Sequence, residues 1–113
     1  MKFQDKPLTI EDYKKVEKYI IKYKVSQTAR SEGQIVDQMK KYETVDKLPI
    51  EWKNKRKLFL IRSIPAYIKK PTVRRWLSIK AWFFDQEPLD EDSKKIYNEV
   101  HPEKNREVGE PSN

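Results

Sequence analysis

The 113-residue chain has no cysteine, one histidine and two glycines. Each scarcity removes a class of chemistry. Without cysteine there is no disulfide, thiolate metal site or thiol nucleophile. His101 stands directly before Pro102 with no second histidine to share a zinc ion, so a structural or solvent-exposed role is expected rather than a general base or a serine triad. Gly33 and Gly109 lie too far apart for a glycine-rich phosphate loop. Asp46 with Glu51-Trp52-Lys53 supplies the residue types of a magnesium nuclease. The carboxylates are close in sequence, however, and lack the strands that would present them. The chain is therefore expected to be no enzyme and to need no cofactor and no metal.

Long apolar runs are missing as well. Nothing approaches the ~18 residues of a membrane span, and Met1-Lys2-Phe3-Gln4-Asp5-Lys6 does not resemble a secretory leader. An intracellular, cytoplasmic protein without membrane attachment is expected.

Acidic residues are absent from one long stretch. Residues 52–84 hold ten lysines and arginines and no aspartate or glutamate, together with all three tryptophans and three of the four phenylalanines. The overall charge of +7 is thus a block rather than an even coat. Such a block suits phosphates or an acidic protein face, the alternative being a solvated face balanced by the acidic residues 85–113. Hydrophobic residues make up 36% and charged residues 38% of the chain, so a small core rich in aromatics is expected.

The periodicity predicts an all-α fold, a single domain of four to six short helices over residues 1–101, with a disordered tail over 102–113. Thr9 and Asp12 form a capping-box pattern ahead of the stripe Ile10, Tyr13, Val16, Ile20 and Tyr23. The polar residues 26–33 interrupt it. Ser31 with Gln34 then predicts a second helix bearing Ile35, Val36, Met39 and Tyr42, and Pro49 suits the first turn of a third. Residues 58–61 read as buried helix or strand, helix being favoured by the unbroken charged run before them. Ser63 and Pro65 predict a break, with a short restart ended by Lys70-Pro71. Thr72 caps a helix that reaches Phe84, and Asp90 opens the last one, which buries Ile96, Tyr97 and Val100.

Thr72-Val73-Arg74-Arg75-Trp76-Leu77 resembles the start of the second helix of helix-turn-helix proteins. The resemblance covers six residues and implies that the threonine caps, that valine and tryptophan face the core, and that Arg74, Arg75 and Ser78 face DNA. It departs upstream, where Tyr67 holds the usual glycine position and Pro65 falls in the preceding helix. The residues expected to contact nucleic acid are Lys53, Lys55, Arg56, Lys57, Arg62, Lys69, Lys70, Arg74, Arg75, Ser78 and Lys80. DNA is favoured over RNA. The competing expectation is an interaction module or regulator that docks on an acidic partner, with Trp82 and Phe83, both off the buried stripe, as anchors.

Overall fold

Thr9 caps the first helix by accepting a hydrogen bond from the Asp12 amide at 3.1 Å, and α1 runs Ile10–Lys22 with Tyr13, Val16 and Ile20 buried. The computed structural model describes residues 4–102, and among these the fold is all-α. Five helices of eight or more residues occur: α1, α3 (Ile35–Tyr42), α4 (Ile50–Lys69), α5 (Val73–Ala81) and α6 (Glu91–Val100). A single turn, α2 (Gln27–Arg30), and a 3-10 turn, Val45–Lys47, fill the connections. The expected tail falls outside the described residues.

Helix α5 is the centre of the packing. It lies against α1, α4 and α6 and buries Trp76, Leu77, Ile79, Lys80 and Ala81. Thr72 caps it by accepting from the Arg75 amide, as the resemblance implies. The helix stops at Ala81 rather than reaching Phe84, because Phe83 takes a left-handed backbone with φ 62°. A left-handed residue other than glycine costs roughly 1–2 kcal/mol. The Phe83 ring offsets this by burying completely and stacking on Tyr13 at 4.6 Å.

After the turn the chain pairs with the N-terminal segment. Leu8 N donates to Phe83 O and Asp85 N to Lys6 O, around an antiparallel bridge between Pro7 and Phe84. This pairing brings Asp5 to Arg56. The Arg56 guanidinium is 2% exposed, binds both Asp5 carboxylate oxygens at 2.8 and 2.9 Å, and donates to the Trp82 and Phe83 carbonyls at 2.9 and 2.8 Å. One side chain thus satisfies the carbonyls left open where α5 ends and holds the N-terminal segment against them.

Helix α4 corrects the expected break. It continues through Pro65 for 20 residues, with Trp52, Arg56, Leu60 and Tyr67 on its buried side. Pro65 has no amide for the Ile61 carbonyl, but both residues lie on the solvent side of the helix. The run 58–61 is helix, and only Leu60 is fully buried; Leu58 and Ile61 are 62% and 46% exposed. The cap proposed for Ser31 is also corrected. Gln34 is the N-cap without a side-chain hydrogen bond, while the Asp37 carboxylate accepts from the Gly33 amide.

Asp90 caps α6 by accepting from the Ser93 amide and hydroxyl, and the Tyr67 hydroxyl donates to it at 2.7 Å. Burial works against the Asp90 charge, but the hydrogen bonds from Ser93 and Tyr67 prevail and hold its carboxyl below the usual range. The α4–α6 junction is thereby fixed.

Candidate nucleic-acid interface

The reversal after α1 is tight. Lys24 and Ser26 take left-handed backbone conformations, φ 56° and 54°, on either side of the buried Val25. This turns α2 back toward the face where α4 and α5 meet. The Ser26 hydroxyl reaches Ser78 of α5 at 3.3 Å, and Arg74 donates to the Tyr23 carbonyl, one of those left open at the end of α1. Arg75 is held in turn by the Lys70 carbonyl at 3.0 Å. Strained residues of this kind persist where surrounding structure holds them and are frequent at binding sites.

Between these elements lies a cleft of about 430 Å³ lined in part by Lys24, Arg62, Arg74, Arg75, Ser63 and Ser78. Among the described residues no carboxylate lines it. A second cleft of about 440 Å³ adjoins it and shares Lys24, Ser26, Phe59 and Ser78; it ends at Trp82, Gln27 and Thr28, again with no carboxylate among the described residues. Phe59, which lines both clefts, stacks on Trp82 of the second, with ring centroids 4.7 Å apart and planes inclined by 16°. The result is a groove with four cations, hydroxyls along its length and an aromatic pair at one end. Among the described residues neither Lys24 nor Arg62 is engaged in an ion pair, so their charges remain open to a ligand.

The basic block of the sequence is thereby divided. Arg62, Arg74, Arg75 and Ser78 come together in the groove. Lys55, which lies 4.5 Å from the centroid of the Trp52 ring, falls on the same face of α4 as Phe59 and Arg62 by helical spacing. Lys53 and Lys57 line a different cleft, beside Asp5 and Asp46, where the charge is mixed. Lys69 and Lys70 are exposed at the end of α4, outside the groove lining.

Three expected contacts are corrected by burial. Arg56 is enclosed by Asp5 and the carbonyls that end α5, and so is not available to phosphate. Lys80 is 2% exposed, 3.0 Å from Asp85 and over the Trp76 ring. Phe83, expected as a partner anchor, is wholly buried on Tyr13, whereas Trp82 is half-buried in the groove wall. Of the ten cations in the block, Arg56 and Lys80 are thus enclosed by the fold.

No protein-family model, curated protein or solved structure matches this chain. The site is therefore judged on its own chemistry. Among the described residues no group of three or more His, Cys, Asp or Glu is placed to hold a metal ion. Asp46 lines the mixed-charge cleft, and Glu51 is exposed in the first turn of α4. Among the described residues no helix is long and apolar enough to cross a membrane.

Sequence reasoning missed Lys24, Ser26, Ser63 and Phe59. Ser26 belongs to the polar run 26–33 that reads as an interruption, Lys24 lies just before that run, and Phe59 belongs to a run that reads as core. Their shared surface arises from left-handed turns at residues other than glycine, which leave no mark in the sequence pattern.

Proposed function

We propose that the chain is a small nucleic-acid-binding protein that takes a phosphate backbone into the groove between α2, α4 and α5. The observation that carries this reading is the lining itself. Lys24, Arg62, Arg74 and Arg75 converge with Ser63 and Ser78, and among the described residues no acid lines the cleft beside them. Phosphate contacts dominate nucleic-acid affinity, and hydroxyls beside guanidinium groups are common donors to them. Four such contacts predict that affinity for DNA falls roughly 50- to 150-fold between about 50 and 200 mM salt. Fluorescence anisotropy with labelled oligonucleotides at several salt concentrations measures this. Binding that is absent, or indifferent to salt, contradicts the reading.

The outer face of α4 supports a second reading. Leu58, Ile61, Pro65 and Ile68 are exposed at intervals of three and four, flanked by Lys57, Arg62 and Lys69. A second copy of the chain would set like charges against one another, so the fitting partner is an amphipathic helix with an acidic rim. Under this reading Ile61→Glu abolishes capture of a protein partner from nuclease-treated extract while oligonucleotide binding persists. Undiminished capture by the variant contradicts it.

A further inference from the structure

Resting on the phosphate reading of the groove, we propose that the ligand is single-stranded nucleic acid, with an unpaired base at the Phe59–Trp82 end and its phosphate at the Arg62–Arg74–Arg75 end. Three observations carry this. The groove has two contiguous compartments of similar size, about 430 and 440 Å³, that differ in chemistry. One holds three guanidinium groups, and the other adds Trp82, Gln27 and Thr28 to the Phe59 that both share. That division matches the two halves of a nucleotide, a charged phosphate and a flat base with hydrogen-bonding edges.

The second observation is the state of the aromatic pair. Phe59 and Trp82 stack nearly parallel, and both are only partly buried. A base added to such a pair continues the stack, and base-on-aromatic stacking does not depend on which base is present. In a duplex the base faces are already covered by their neighbours, so only an unpaired base can use this end.

The third is the enclosure of α5. With α1, α4 and α6 packed around it, α5 offers Arg74 and Arg75 at its first turn but no full-length free face. Reading a major groove requires a helix that can be laid into it. A strand entering the cleft makes no such demand.

The test uses the full chain and three probes of equal length: oligothymidylate, an abasic oligonucleotide with the same backbone, and a blunt duplex. Oligothymidylate should bind about 5- to 160-fold more tightly than the abasic strand, the range set by stacking of one base. It should also bind more tightly than the duplex. Equal affinity for the abasic strand, or duplex binding as tight as that of oligothymidylate, overturns the inference and leaves the phosphate reading standing. Absence of salt-sensitive binding to all three probes overturns both. Trp82→Leu, checked for folding by circular dichroism, should lose the preference for oligothymidylate over the abasic strand. Full retention of that preference contradicts the placement of the base.

Discussion

Replacing Arg56 with methionine should destabilise the protein by about 3 kcal/mol, the lower end of the cost of removing one partner from a buried ion pair. The lower end applies because the Asp5 side chain is 36% exposed and regains water once the guanidinium is gone. What is not regained is the pair of donors to the Trp82 and Phe83 carbonyls. Phe83 O keeps the Leu8 amide, whereas Trp82 O loses the guanidinium hydrogen bond. Stability of a domain this size is typically ~5–15 kcal/mol, so the loss is a large fraction of the whole. A urea titration should show a lower midpoint with an unchanged slope. Asp5→Ala should cost less, since it leaves Arg56 its two carbonyl acceptors. Wild-type stability in Arg56→Met would mean that this residue belongs to the surface after all.

The second large effect concerns binding. Lys24→Ala with Arg62→Ala should reduce the salt dependence of oligonucleotide binding by about 1.4 in log–log slope for a single strand. These two are chosen because the fold makes no use of their charges. Arg74 and Arg75 hold the Tyr23 and Lys70 carbonyls, so changing them would mix stability with binding. The matched control is Lys53→Ala with Lys57→Ala, which removes the same charge from the cleft that contains Asp5 and Asp46. The control should change the slope little. If both pairs act alike, binding follows net charge and the groove is not a site.

Local signals in the sequence were reliable guides to structure. Thr9, Thr72 and Asp90 each cap the helix they precede, because a cap depends on a side chain and an amide three residues away. The all-α class was legible from the same short-range periodicity. Distant partners were not legible. Arg56 and Lys80 look like surface cations beside their neighbours in the chain, and only the return of the N-terminal segment and the turn after α5 reveals the carboxylates that bury them. Pro65 misled for a related reason. It ends a helix when the freed carbonyl is enclosed, but not when that carbonyl faces water on the outside of a helix anchored by Leu60 and Tyr67.

The site was half legible. Arg62, Arg74, Arg75 and Ser78 were found through charge and helical spacing, and the structure adds Lys24, Ser26 and Phe59 by folding the end of α1 back across them. The block at residues 52–84 is continuous in sequence but not in space, since α4 carries its cations around its circumference.

The central claim is that ligand enters this groove and not the lysine-rich start of α4. The most direct measurement is an amide NMR titration of the isotope-labelled chain with oligothymidylate. Chemical-shift changes should concentrate at residues 24–28, 59–66 and 74–82. Changes centred on Lys53 and Lys57, or spread evenly over the surface lysines, would contradict it.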